Sequence, residues 1–394
     1  MCRPSRPCFG PRLRENGLEH HARPGRTLAL MHVLLAASEL HPYSKTGGLA
    51  DAVGSLGRAL AHSGVKVTVV TPLYRGIGAR LDGIKHAAWR FSVRLGNEWI
   101  EGEFVRHREP SGMEVWFVRH DGFFDRAGLY NEGQQDHADN ARRFLFLSKA
   151  ALVAARHAPE RVDIVHAHDW QAAMLPLLVH HARVTGGWAN APRTLFTIHN
   201  LAYQGVFPVE AWGDTGLPWS WFHLESAAHD GGVNFLKAGL CLADALSTVS
   251  PRYAREVCTR EYGCGLDGVL RRREHDLCGI LNGVDYGEWN TTSNPALPHP
   301  FDARDLGGKA LDKVALQREM GLQDDLGTPL FSNVSRLADQ KGCDLILGAV
   351  ERLIASRPFQ FALLGSGDPV LERGFRALAA RFPGRVAARI GFDP

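Results

Sequence analysis

Apolar positions along this chain follow two rhythms in turn, and their alternation predicts the fold class. After Met31, His32-Val33-Leu34-Leu35-Ala36-Ala37 reads as a strand buried on both faces. A glycine-rich turn follows, and then Leu49, Val53, Leu56 and Leu60 recur at helical spacing until Gly64 closes the helix. Val65 to Val70 predicts the next strand. From about Trp89 to Val118 apolar and polar residues alternate, which predicts shorter strands in hairpins added to a core sheet. Phe144 to Ala155 predicts a strongly apolar helix. Val162-Asp163-Ile164-Val165, Thr194 to Ile198 and Ala245 to Val249 predict three more buried strands. Ser250 then caps a helix whose first residue is Pro251, and Gly279-Ile280-Leu281 leads into Asn282-Gly283-Val284-Asp285.

Proline, asparagine and aspartate crowd the next stretch, so 287–326 is the expected linker, with one helix near Lys309 to Met320. It separates a first domain over 31–286 from a second over 327–394. The second series reads as strand Pro329 to Val334, helix Asp344 to Ile354, strand Phe361 to Leu364, helix Val370 to Phe382 and strand Val386 to Ile390. Strands alternating with helices imply parallel sheets covered on both faces. The prediction is an α/β chain of two Rossmann-like domains facing each other across a cleft. Only about three strands fall in the second series, where an open sheet of this kind holds roughly five or six. The second domain is therefore expected to be incomplete, with Val386 to Ile390 at a raw edge.

Composition narrows the function classes. At 394 residues, 45% apolar and 22% charged, the chain has room for two or three ordinary globular domains. A net charge of +3 gives no reason to expect nucleic acid or an acidic membrane surface as partner. No apolar run approaches the roughly 20 residues that span a bilayer. Cys2, Cys8, Cys241, Cys258, Cys264, Cys278 and Cys343 are odd in number, irregularly spaced and free of any CxxC, as expected for free thiols in a reducing cytoplasm. The sequon Asn290-Thr291-Thr292 means little without a secretory signal. Residues 1–30 carry six arginines and four prolines without a periodic apolar face. An upstream start-site artefact is the favoured reading, ahead of a disordered arm. A plastid transit peptide is disfavoured by the single serine and single threonine.

Ligands on open α/β sheets bind at the carboxyl ends of the strands, so polar residues just after apolar strands are the candidates. Lys45-Thr46-Gly47-Gly48-Leu49-Ala50-Asp51 lies between the first strand and its helix. It fits an anion cradle of backbone amides with a cation beside it, and equally a tight turn with an exposed lysine. It is no Walker loop, because the lysine precedes the glycines. His166-Ala167-His168-Asp169-Trp170 and His199-Asn200-Leu201-Ala202-Tyr203-Gln204-Gly205 end two strands with the mixture of hydrogen-bonding and flat apolar groups that hydroxyl-rich ligands favour. Metal ligation is the rival reading, without the HExxH or cysteine-rich spacing that would support it. Arg336 and Lys341, after the first strand of the second domain, suit a diphosphate, or form an ordinary solvated loop. Gly365-Ser366-Gly367-Asp368-Pro369 permits close backbone approach.

Six ordered segments together carry a resemblance. Lys45 to Asp51, His166 to Trp170, His199 to Gly205, Leu281 to Asp285, Ser335 to Gly342 and Leu364 to Pro369 resemble the motifs of the bacterial glycogen synthase and plant starch synthase family. The similarity runs from Met31 to the last residue. It implies a GT-B fold and retaining transfer of glucose from ADP-glucose to the non-reducing end of an α-1,4-glucan, with no metal and no cofactor. Carried over position by position, Lys45, Gly47, Gly48, Asn282 and Gly367 would contact the donor, and Arg336 and Lys341 would neutralise the departing diphosphate. His199 would sit beside the reacting sugar, and Asp169 and Asn282 would help hold sugar or acceptor hydroxyls. In the family the second domain continues past the position of Pro394, with a glutamate motif that grips the donor glucose and a helix that returns to the first domain. Loss of turnover, with glucan binding retained, is the matching expectation for this chain. The rivals are another GT-B transferase forming sucrose or trehalose, and a glucan-binding fragment.

Overall fold

A computed structural model describes residues 31–80, 89–133, 135–391 and 393, and the readings of 1–30, with Cys2 and Cys8, lie outside them. The chain divides into two compact units, Met1–Gly283 and Val284–Pro394.

The first unit is built on β1 (His32–Ala36), α1 (Gly48–His62), β2 (Lys66–Pro72), β3 (Trp89–Leu95), β4 (Glu98–Arg108), β5 (Glu114–Arg119) and α2 (Asn140–His157). It continues through β6 (Ile164–His168), α3 (Met174–Val184), β7 (Arg193–Ile198), α4 (Phe235–Leu242), β8 (Ala245–Thr248), α5 (Pro251–Glu256), α6 (Asp267–Arg272) and β9 (Leu277–Gly279). Its nine-stranded sheet has the order β9-β8-β7-β6-β1-β2-β5-β4-β3. The seven strands from β9 to β5 run parallel, and β4 and β3 add an antiparallel edge. The apolar patterns explain the division. All five residues of β1 are buried, as a central parallel strand requires. In β3, buried Phe91, Val93 and Leu95 alternate with exposed Arg90, Ser92 and Arg94, as befits a strand with one wet face. Ser250 caps α5, its Oγ accepting the Tyr253 amide at 2.9 Å.

The strand order reverses at β1. The chain leaves β1 for β2 on one side and returns through β6 on the other. A crevice opens at such a switch point, outside the carboxyl ends of the two strands. The turn after β1 holds Lys45, and the end of β6 holds Asp169. Small extra sheets, Asn131–Glu132 with Gln135–Asp136 and Val206–Phe207 with Gly232–Asn234 and Ala228–His229, were not anticipated. Two or three residues are too short to display a period.

The second unit holds α7 (Gly307–Glu319), β10 (Leu330–Val334), α8 (Cys343–Leu353), β11 (Gln360–Gly365), α9 (Pro369–Arg381) and β12 (Val386–Ile390). Its parallel sheet has the order β10-β11-β12. Phe361, Leu363, Phe375 and Val386 form a core on one face, and Leu322, Ala362 and Ala387 a smaller one on the other. β12 lies at an edge, as expected, and so does β10, where Phe331 and Val334 are 59% and 73% exposed. Residues 287–326, expected as a linker, fall inside this unit. The buried Gln317 of α7 anchors them, donating to Gln360 Oε1 at 2.5 Å and to the Asp325 carbonyl at 2.9 Å. Among the described residues no helix is long and apolar enough to cross a membrane, and the five described cysteines are free thiols.

Candidate functional site

The turn after β1 is folded by a buried carboxylate. Glu39 is 3% exposed and accepts the Thr46 amide at 2.5 Å, the Thr46 hydroxyl at 2.6 Å and the Tyr130 hydroxyl at 2.6 Å. Burial, with the Glu39 charge beside it, pushes the Tyr130 phenol well above its usual range, so it stays a donor. The three bonds pull the chain back on itself and aim the start of α1 outward. Gly47 caps that helix with no side chain bonded to its first amides. A Cβ on Gly47 or Gly48 would meet nothing within 4 Å. The backbone here faces open space, and 15 residues of helix put partial positive charge behind it. Lys45 is half-buried, its Nζ 2.9 Å from Asp51 Oδ1.

The ends of β6 and β7 are bound to each other. Asp169 is 8% exposed and adopts a positive φ of 53°, a conformation open to aspartate and asparagine more than to other side chains. Its Oδ1 accepts the His199 amide at 2.7 Å and the Asn200 amide at 3.3 Å. Oδ2 has no hydrogen-bond partner among the described residues. Burial raises the Asp169 pKa, and the two amides oppose it. The His168 ring meets the His199 ring through Nδ1 and Nε2, 3.0 Å apart. Beneath them His166 Nε2 lies 2.6 Å from Thr197 Oγ1, which lies 2.6 Å from Ser247 Oγ. Burial keeps all three rings neutral, lowering His166 to about 3 and pulling His168 and His199 below the usual histidine range. Trp170 packs between Phe144 and Phe207 and against the backbone at Gly205. Gly205 has φ 61°, and a Cβ there would fall 2.3 Å from the indole, so only glycine lets the HNLAYQG loop close on Trp170.

In the second unit Arg336 and Lys341 share the connection from β10 to α8, and both are exposed. Gly367 lies on the connection from β11 to α9, and a bridge between Leu337 and Gly367 ties the two connections together. A Cβ on Gly367 would fall 2.3 Å from the Leu337 carbonyl. The Gly367 amide donates to Glu372 Oε1 at 3.0 Å, and Asp368 Oδ1 takes the next helical amides, those of Val370 and Leu371. Unlike the start of α1, this turn has given its amides to its own acids. Asn282 is exposed just beyond β9.

The structure thus brings Lys45, Gly47, Gly48, Asp169 and His199 to neighbouring strand ends of one sheet. It brings Arg336, Lys341 and Gly367 to neighbouring strand ends of another. Glu39 and Tyr130 escaped the sequence reading. A glutamate three residues past the buried strand β1 was the available signal for the first, and Tyr130 sits in a segment without periodicity. Among the described residues no group of three or more His, Cys, Asp and Glu could hold a metal ion.

Known proteins resemble this chain over most of its length. Residues 32–272 match the family model for the starch synthase catalytic domain. A glycogen synthase of Anaeromyxobacter dehalogenans (strain 2CP-C) is 47% identical over 364 residues, which cover 92% of this chain and 75% of that protein. A glycogen synthase of Myxococcus xanthus (strain DK1622) is 45% identical over 370 residues, covering 92% and 76%. Among solved structures, the catalytic domain of Starch Synthase IV from Arabidopsis thaliana bound to ADP and acarbose matches with a TM-score of 0.82 and 31% identity, over 92% of this chain and 74% of that one.

Proposed function

This chain belongs to the family of starch and glycogen synthases with a GT-B fold, and we propose that it transfers glucose, with retention, from ADP-glucose to the non-reducing end of an α-1,4-glucan. The observation that carries the reading is the switch point of the first sheet. There the uncapped start of α1 and Lys45 stand at the end of β1, and the bonded pair Asp169 and His199 at the ends of β6 and β7. Departure of a nucleoside diphosphate builds negative charge on phosphate and positive charge on the sugar ring. Helix amides and Lys45 answer the first, and Arg336 and Lys341 are exposed cations suited to a diphosphate without a metal. His199 lies beside the sugar, and Asp169, through its unengaged Oδ2, and Asn282 bind hydroxyls.

Purified chain incubated with glycogen and labelled ADP-glucose tests this, with UDP-glucose in parallel and EDTA present. Against the loss of turnover expected from the motifs alone, label must enter the polymer from ADP-glucose in preference to UDP-glucose, undiminished by EDTA, and an exo-acting hydrolase specific for α-1,4 ends must release it. Dependence on added magnesium, or label that resists the hydrolase, counts against the mechanism. A second reading is glucan binding without transfer. Co-sedimentation with glycogen and no incorporated label would establish that reading instead.

A further inference from the structure

The contact between His168 and His199 holds one proton, and its surroundings decide where the proton sits. Nδ1 of His168 and Nε2 of His199 are 3.0 Å apart, so one must donate and the other accept. His168 is 1% exposed, and its other nitrogen, Nε2, is buried without a partner. Were His199 the donor, His168 would carry its own proton on that sealed Nε2. An orphaned N–H is the kind of group that native interiors rarely bury. The opposite arrangement leaves only a lone pair there. His168 then donates from Nδ1, His199 accepts at Nε2, and the proton of His199 sits on its Nδ1. That atom has no hydrogen-bond partner among the described residues.

We propose that His168 is a positioning residue that fixes His199 in the Nδ1–H tautomer, so that His199 offers the ligand a neutral hydrogen-bond donor. The rest of the cluster serves the same end. His166 lies with its ring 4.0 Å from that of His168, and is itself pinned through Thr197 to Ser247. Asp169 holds the His199 backbone from the other side. The contact also opposes a cationic His199. An imidazolium carries N–H on both nitrogens, which would drive His168 into the tautomer with the orphaned N–H. A donor in this place suits a sugar hydroxyl oxygen, and it excludes a role for His199 as general base through Nδ1. This deepens the proposed function and rests on His199 facing the sugar.

The tautomer can be read without turnover. Nitrogen-15 NMR of the imidazoles in the intact chain near neutral pH reports which nitrogen of each ring is protonated, with His199→Gln and His168→Asn supplying assignments. His168 and His199 should both be protonated on Nδ1. Proton on Nε2 of His199, or an imidazolium, overturns the proposal. Affinities for ADP-glucose and ADP, measured by calorimetry, test the positioning role. His168→Leu should lower the ratio of ADP-glucose to ADP affinity about fivefold, the scale of one neutral hydrogen bond. His168→Asn keeps an N–H near the Nδ1 position and should restore the ratio. A purely structural defect would weaken both ligands alike. Equal ratios in the Leu and Asn variants would refute the positioning role. If His199→Ala leaves transfer intact while the tautomers are as assigned, it is the functional reading that fails.

Discussion

Replacing Asp169 by alanine should destabilise the first unit far more than an average buried polar substitution. Three effects add. The bond from the His199 amide to the carboxylate is short, 2.7 Å, and a charged partner makes such a bond worth about 1.5–3 kcal/mol. The amide is left without its acceptor, at a desolvation cost of about 1–3 kcal/mol, part of which the first figure already contains. Alanine must also adopt the φ of 53° that aspartate holds, for roughly 1–2 kcal/mol more. The sum is about 3–5 kcal/mol, against about 1 kcal/mol for Asp169→Asn, which keeps both an acceptor and tolerance of the left-handed region. Urea unfolding followed by tryptophan fluorescence measures the difference, with Trp170 next in sequence as a local reporter. Transfer should fall at least ~100-fold in the alanine variant, because a shift of about 1 Å in His199 is enough to lose a reactive geometry. An alanine variant within about 1 kcal/mol of the asparagine variant would show that Asp169 does not hold the His199 loop, and the reasoning would be refuted.

Three further outcomes are expected. Lys45→Ala should lower transfer at least ~100-fold by removing a cation from the donor site, yet change stability by less than about 1 kcal/mol, since its pair with Asp51 is partly exposed and screened; a stability loss without a transfer loss would make it structural. Acid should weaken the first unit through its buried histidines. Desolvation lowers His32 to about 4, with Lys66 adding to it, and His166 to about 3. Both pKa values are depressed in the folded state, so below about 6.5 the unfolded chain takes up protons that the folded chain refuses. Stability is full above pH 6.5 and falls toward those values by about 1.4 kcal/mol per pH unit for each histidine. Denaturation between pH 7 and 4 checks this, and His166→Gln should remove one proton from the slope. Limited proteolysis should cut the second unit first, because its cores are far smaller than that of the first, leaving a resistant fragment that ends near Gly283; equal resistance of both units would contradict that order.

The architecture was legible because it is written in long apolar periods. The fully buried β1 and the helical recurrence of Leu49, Val53 and Leu56 leave little choice of element. The single-sided alternation of β3 marks its hairpin for the same reason. What stayed hidden is what has no period. Glu39 and Tyr130 meet across 91 residues of sequence, and Gln317 meets Gln360 across 43. Such pairs depend on where the sheet brings the chain back. The expected linker illustrates the point: its proline-rich composition is that of a connection, but one buried glutamine binds it to a core.

Motif reading also could not separate residues that meet a ligand from residues that hold them in place, because both kinds are clustered at strand ends. Geometry separates them by what each polar atom already bonds. The amides at the start of α1 are uncapped and face open space, whereas those at the start of α9 are taken by Glu372 and Asp368. Two glycine turns of similar appearance therefore have different work: Gly47 and Gly48 expose backbone, and Gly367 closes its own turn against Leu337. The same test divides the histidines. His166 spends Nε2 on Thr197, and His168 spends Nδ1 on His199 with its unpaired Nε2 sealed in the interior, while the half-buried His199 keeps an accessible Nδ1 unspent. A side chain with an unspent polar atom at a switch point can still bind something new. One whose polar atoms are engaged acts through its neighbours, and its substitution is felt first as a loss of position.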